Sequence, residues 1–170
     1  CNAVSASKLK IIQDKIPCVY AKKSKIWGAI DWDSNLSTSA NSKNIYPTLK
    51  RFSKICRYES LDVFAIAAPD AHGLNTKDLS HFLKDLLISL AAEDDNNTCM
   101  SEDINSPDWQ FTLNGTRLFI TVFASCYPIT NSRYNYDVKS TLVLFQPEIS
   151  FTSNHMPRGM NDQTREKIRT

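Results

Sequence analysis

The chain has 170 residues, 42% of them hydrophobic, which fits one globular domain that buries roughly 70% of its unfolded surface. Its 20 basic and 18 acidic residues are interspersed and give a net charge of +2, so no basic stripe indicates a nucleic-acid partner. No apolar run approaches the ~20 residues of a membrane span, so we expect no membrane association.

Five cysteines are scattered along the chain, at Cys1, Cys18, Cys56, Cys99 and Cys126. Their number is odd and no two of them form a CxxC pair, which argues against a disulfide framework and against a zinc site. We therefore expect reduced thiols in a cytoplasmic protein.

The first 45 residues alternate short apolar runs with polar segments. The run SASKLKIIQDK predicts a short helix that opens at Ser5 or Ser7. IPCVYA and KIWGAIDW predict two strands, which a hairpin would join. Residues 33–45 are rich in serine and asparagine and predict a surface loop.

Two helices and a strand are predicted in the middle of the chain. Pro47 suits the first turn of a helix with an apolar stripe at Leu49, Phe52, Ile55 and Cys56. The apolar run 61–68 predicts a central strand that is covered on both faces. Residues 77–93 give the clearest helix pattern, with Asn75 or Thr76 as the N-cap and with His81 off the apolar stripe.

The sequence DWQFTLNGTRLFITVFAS predicts a β-hairpin, because Asn114-Gly115 can adopt the positive φ angles of a two-residue type I′ turn. This turn predicts three cross-strand pairs, Leu113–Thr116, Phe111–Leu118 and Trp109–Ile120. Phe119 and Phe123 would then point to the opposite face, so we expect both faces of the hairpin to be covered.

Residues 140–146 predict another strand, and a final helix is predicted from Asp162. The whole chain thus contains five or six predicted strands and two or three helices, with an antiparallel hairpin and no βαβ repetition. This inventory predicts an α+β fold, a single domain over residues 1–170 with helices packed on a mixed or antiparallel sheet.

No motif in the sequence assigns a reaction or a catalytic residue. The glycines are isolated, which excludes a phosphate-binding loop, and no GxSxG, HExxH or EF-hand pattern occurs. His72, His81 and His155 are not spaced to build a metal site. His72 follows the predicted central strand, where open sheets often bind ligands, but a solvated histidine is also typical of such a turn.

The segment CYPITNSRYNY, residues 126–136, is the most unusual connection in the chain. In one interpretation its tyrosines pack over the sheet and Arg133 pairs with a carboxylate of the protein. In the other, the tyrosines line a pocket and Arg133 presents its planar guanidinium to the carboxylate of a substrate or cofactor. The residue types alone favour neither interpretation.

A series of motifs occurs in a characteristic order: PCVYA (17–21), DVFAI (62–66), the leucine-rich helix, SPDWQFTLNGTRLFI (106–120), CYPITNSRY (126–134), LFQPEISF (144–151) and REKIR (165–169). In sequence and order these motifs resemble the YqcI/YcgG family of bacterial proteins. The resemblance spans most of the chain. Its most specific parts are the hairpin, the SRY triplet and the FQP strand end.

The resemblance implies a haem-dependent oxygenase, because characterised relatives look like small haem enzymes that N-hydroxylate guanidine or amine groups of small metabolites. It implies a redox partner and a haem whose iron activates oxygen. Arg133 would bind a haem propionate or a substrate carboxylate. The candidate cofactor-binding residues are Arg133, Tyr134, His155 and His72. The candidate residues of the substrate pocket are Tyr127, Ser132 and Trp109.

The chain differs from the family pattern at Asn131 and at Leu90-Ala91, where members often carry histidine. Asparagine does not replace histidine as an iron ligand. The candidates for the axial ligand are therefore His155, His72, Cys18, Cys126, Tyr127 and Tyr134, and the sequence does not select one of them.

The alternative function is a non-catalytic haem-binding or small-molecule-binding domain that has lost the iron ligand. A protein-interaction module is a third possible function. Relatives usually continue past Thr170, so we expect the family's C-terminal tail to be missing.

Overall fold

Five strands form one sheet in a computed structural model that describes residues 3–96, 99–107 and 109–151. The strands are β1 (Ile26–Gly28), β2 (Val63–Pro69), β3 (Phe111–Leu113), β4 (Thr116–Phe123) and β5 (Ser140–Pro147). Their order is β1-β2-β5-β4-β3. β1 and β2 are parallel and the other neighbours are antiparallel, which confirms the predicted α+β class with a mixed sheet.

Helices cover both faces of the sheet. The described ranges contain α1 (Val4–Lys15), α2 (Val19–Lys23), α3 (Thr38–Ile55) and α4 (Thr76–Ala92). In β5, Val143 and Phe145 join the core formed with α3 and α4, whereas Leu142 and Leu144 join the core formed with α1. This double coverage explains why the interior strands β2 and β5 have almost continuous apolar sequences. None of these helices is long and apolar enough to cross a membrane.

The prediction for α4 is confirmed to within a residue or two at each end. The Asn75 side-chain oxygen accepts a hydrogen bond from the Asp78 main-chain N–H at 2.9 Å, which caps the first turn. The apolar stripe, including Leu79 and Leu86, is buried, and His81 is exposed on the opposite face.

The predicted hairpin is also confirmed at its turn. Asn114 and Gly115 have φ angles of 50° and 71°, and the pairs Leu113–Thr116 and Phe111–Leu118 form as expected. β3 begins only at Phe111, so the predicted ladder pair between Trp109 and Ile120 is wrong. The prediction that both faces of the hairpin are covered is confirmed at Phe123, which is buried, but not at Phe119, which is 54% exposed.

Of the two strands predicted near residue 20, the one in KIWGAIDW is confirmed as β1, whereas the strand in IPCVYA and the hairpin are wrong. Val19–Lys23 forms α2, and β1 pairs in parallel with β2. The Gln13 side-chain amide donates hydrogen bonds to the carbonyls of Ala21 at 2.7 Å and Ser24 at 3.3 Å. These bonds hold α2 and the residue after it against α1. This tertiary contact outweighs the strand propensity of the segment.

The loop predicted at residues 33–45 is shorter than expected, since α3 begins at Thr38 and Pro47 lies inside it. Ser37 caps the helix by accepting a hydrogen bond from the Ala40 N–H at 3.1 Å. Asn41 is buried, and its amide donates to the main-chain carbonyls of Asp33, Leu36 and Ser37. The polar side chains here form hydrogen bonds with main-chain groups, so their abundance does not indicate a solvated loop. The helix predicted from Asp162 lies outside the described residues.

Candidate functional site

The C-terminal ends of β2 and β4 meet the N-terminal end of β5 at one end of the sheet, where Pro69 pairs with Ser140 and Phe123 with Leu142. The turn Asp70–Gly73 follows β2, and the loop 124–139 joins β4 to β5. We call this turn and this loop together the strand-end site. It brings His72 to the same end of the fold as CYPITNSRYNY.

Hydrogen bonds lock the turn and the loop together. The Gly73 carbonyl accepts from the Cys126 main-chain N–H at 2.8 Å and from the Ser125 hydroxyl at 3.2 Å. The Asn135 side chain is 1% exposed and donates to Asp70 Oδ1 and to the Ser140 carbonyl, both at 3.2 Å. Sequence reasoning missed these contacts, because the partners lie far apart in the chain.

Hydrogen bonds hold the main chain of Arg133, whereas its guanidinium has no carboxylate partner among the described residues. Its N–H donates to Asn131 Oδ1 at 2.8 Å, and its carbonyl accepts from the Ala124 N–H at 3.1 Å. The guanidinium carbon lies 5.9 Å from the centre of the Phe123 ring, a cation–π contact. No carboxylate of the described residues lies within 4.0 Å of this guanidinium. The cation is therefore available to an anionic ligand.

His72 sits in an aromatic cluster. Its ring stacks on Phe82 with centroids 4.3 Å apart, and it meets Trp32 edge to face with centroids 5.8 Å apart. Burial lowers the pKa of His72, because desolvation disfavours the charged imidazolium. The imidazole is therefore neutral at pH 7, the form that can ligate a metal.

The tyrosines of the loop differ in their surroundings. Tyr134 donates its hydroxyl hydrogen to Asp137 Oδ1 at 2.5 Å, and this bond raises the pKa of Tyr134. Tyr136 packs on the α1 side of the sheet beneath Lys15, whose Nζ lies 5.7 Å from the ring centre. Tyr127 packs partly against the opposite core, and the predicted pocket residue Ser132 is exposed.

The backbone after Arg133 is strained. Tyr136, Asp137 and Lys139 have φ angles of 52°, 62° and 50°, in the left-handed region that costs about 1–2 kcal/mol for residues other than glycine. Asn135 Oδ1 accepts from the Asp137 N–H at 3.2 Å and supports this conformation. Such strain often accompanies functional sites. Nothing in the residue types predicted it.

Trp109 lies in a different place from the other predicted site residues. Its indole N–H donates to the Cys99 carbonyl at 2.8 Å. With Phe119, Ile120 and Phe151 it lines a cleft of about 320 Å³ beside β3, which we call the β3 cleft. The predicted residues His72, Tyr127, Ser132, Arg133 and Tyr134 instead belong to the turn and the loop of the strand-end site. His72 packs on Phe82 of the core on the α4 side, whereas Arg133 lies over Phe123 of the core on the α1 side. His155 lies outside the described residues.

Neither family position that often carries histidine provides an iron ligand here. Asn131 is exposed and engaged with the Arg133 N–H, while Leu90 and Ala91 are buried in the core. The part of the chain that the structure describes holds no group of three or more His, Cys, Asp or Glu side chains arranged for a metal ion. These two positions therefore do not fit an axial haem ligand.

Comparison with known proteins gives one match that spans nearly the whole chain. The model of the YqcI/YcgG family matches residues 7–170. The chain belongs to the YqcI/YcgG family. No curated protein and no solved structure matches it. The strand-end site and the β3 cleft both lie within the range that the YqcI/YcgG model matches.

Proposed function

We propose that this YqcI/YcgG protein binds a small metabolite whose anionic group is held by Arg133, without a histidine ligand for iron at the two family positions. The observation that carries the proposal is the Arg133 guanidinium, which rests on Phe123 with no carboxylate partner among the described residues. A planar guanidinium donates two parallel hydrogen bonds to a carboxylate, and a fixed main chain reduces the entropy lost on binding.

The same site offers acidic groups for the other end of a ligand. Asp70 is partly buried at the end of β2, and Asp137 accepts the Tyr134 hydroxyl hydrogen. A metabolite with a carboxylate at one end and a guanidine or amine at the other could thus pair with Arg133 and with Asp70. This chemistry matches the guanidine- or amine-bearing ligand that the family resemblance implies.

Isothermal titration with L-arginine and with agmatine, which lacks the carboxylate, tests this proposal. Arginine should bind the wild type, and Arg133→Gln should weaken it about 10- to 100-fold, because a charge-assisted hydrogen bond is lost. The affinity of Arg133→Lys for arginine should lie between those of the wild type and Arg133→Gln. Arg117 is exposed, so Arg117→Gln serves as a matched control and should bind arginine normally. Equal binding of agmatine and arginine, or normal binding by Arg133→Gln, would contradict the proposal.

Haem-dependent N-hydroxylation is the second candidate, and the position of the His72 imidazole in the turn after β2 supports it. With Asn131 and Ala91 in place of histidine, His72 is the imidazole at the strand-end site that could ligate iron. Bound haem would supply the activation of oxygen, and a redox partner would supply electrons. In this case Arg133 would hold a haem propionate or the substrate carboxylate.

A haemin titration followed by visible absorption separates the two candidates. A Soret band that is lost in His72→Ala and kept in His81→Ala supports the haem protein, since His81 is exposed on α4. Mass analysis after incubation with arginine, oxygen and a reductant would then detect an N-hydroxylated product. Arginine binding without any Soret band supports the binding domain.

A further inference from the structure

The outer edge of β4 is only partly covered. β4 has 8 residues, whereas its neighbour β3 has 3 and pairs with Thr116 to Leu118. Beyond the end of β4, the Ala124 N–H donates to the Arg133 carbonyl at 3.1 Å. The stretch between these two contacts contains Ile120 and Val122.

The hairpin determines which main-chain groups face this open edge. In a two-residue hairpin the residues that flank the turn exchange both main-chain hydrogen bonds. The main-chain N–H and C=O groups of Thr116 and of every second residue after it therefore point toward the β3 side of β4. The bond from Ala124 to Arg133 has this same direction. Ile120 and Val122 therefore present an N–H and a C=O outward, and no main-chain hydrogen bond from the described residues meets them there.

The β3 cleft lies directly beside this open edge. Its volume is about 320 Å³, and the aromatic side chains that line it include Trp109, Phe151 and Phe119, the last of which is 54% exposed. The cleft is thus large enough for an apolar side chain. Arg117 and Glu148 also line it, and neither has an ion-pair partner among the described residues.

We propose that this open edge binds an extended peptide of another protein as an added strand. Donor and acceptor groups on Ile120 and Val122 repeat at about 7 Å, the spacing of alternate residues in a strand, and a peptide main chain matches that spacing. One apolar side chain of the peptide enters the β3 cleft. Acidic and basic residues on either side of it complement Arg117 and Glu148.

The test uses the peptide acetyl-EVFVK-amide and two isomers that each carry two N-methyl groups. One isomer is methylated at both valines, and the other at phenylalanine and lysine, so each blocks one edge of the strand. We expect the unmodified peptide to shift and protect the Ile120 and Val122 amides in NMR spectra. One isomer should bind at least about tenfold more weakly than the other, because it loses the main-chain hydrogen bonds.

Variants of the full chain identify the surface. Phe119→Ala removes a largely exposed side chain, so the fold is retained, and peptide binding should weaken about tenfold. Tyr58→Ala is the matched control, since Tyr58 is 85% exposed and lies outside the cleft. Arg133→Gln should leave peptide binding unchanged, which separates this surface from the metabolite site. Equal binding of the two isomers, or no binding at millimolar peptide, would overturn the proposal.

Discussion

Gly73 should be essential to the junction between the turn and the loop of the strand-end site. A Cβ atom added there would overlap Thr141 Oγ1 and would lie 2.9 Å from the Ala124 Cβ atom. The turn would have to move away from β4 and β5. That movement would weaken the hydrogen bonds that the Gly73 carbonyl accepts from Cys126 and Ser125.

The expected loss of stability in Gly73→Ala follows from three contributions. Overpacking costs about 1–3 kcal/mol and each weakened hydrogen bond about 1 kcal/mol, while the reduced entropy of the unfolded chain returns about 0.4–1 kcal/mol. The free energy of unfolding should therefore fall by about 2–5 kcal/mol, measured by urea denaturation. For a chain of this size Tm should fall by about 4–20 °C.

A double-mutant cycle with Thr141→Ala tests the steric cause. Removing the hydroxyl should reduce the cost of Gly73→Ala by at least about 1 kcal/mol, because contacting residues couple. Gly115→Ala is the matched control: its φ is 71° and nothing lies within 4 Å of the added Cβ, so its cost should not depend on Thr141. The same cost of Gly73→Ala in both backgrounds would refute the argument.

Other predictions concern pH, backbone strain and capping. Burial lowers the pKa of His72, so as the pH falls the unfolded chain takes up this proton before the folded chain does. The free energy of unfolding should therefore fall as the pH is lowered below about 7. His72→Gln should reduce this slope in urea unfolding, and an unchanged slope would contradict the prediction. Lys139→Gly should raise Tm by relieving the positive φ angle, whereas a lower Tm would show no strain there. Asn75→Ala should cost about 1 kcal/mol on chemical denaturation, and a cost near zero would exclude a role for the cap.

Local signals in the sequence predicted the elements whose structure depends on neighbouring residues. The Asn114-Gly115 turn and the α4 stripe each contain their own determinants within one segment, and both are confirmed. The start of α3 was missed because Asn41 is satisfied by carbonyls that only the folded turn brings near it. The pairing of β1 with β2 was missed because it joins residues more than 30 positions apart, such as Ile26 and Val63.

The candidate site was predicted in its parts but not in its assembly. Residue types singled out His72 and Arg133 separately, yet the contact that unites their segments joins Gly73 to Ser125 across 52 residues. No local pattern encodes such a contact. The left-handed backbone at Tyr136 and Asp137 was equally hidden, because its support comes from Asn135, which the fold buries.

Backbone strain and a cation without a carboxylate partner among the described residues occur together at the strand-end site, a combination that the proposed ligand-binding role would explain. Glycine at position 139 would relieve strain, and a carboxylate near Arg133 would satisfy its charge, yet position 139 is a lysine and the described residues place no carboxylate there. The strained segment turns Asn135 inward to Asp70, and this keeps the loop against the turn that carries His72. A loop held in this way keeps the Arg133 main chain in one position, so less entropy would be lost on binding the proposed ligand.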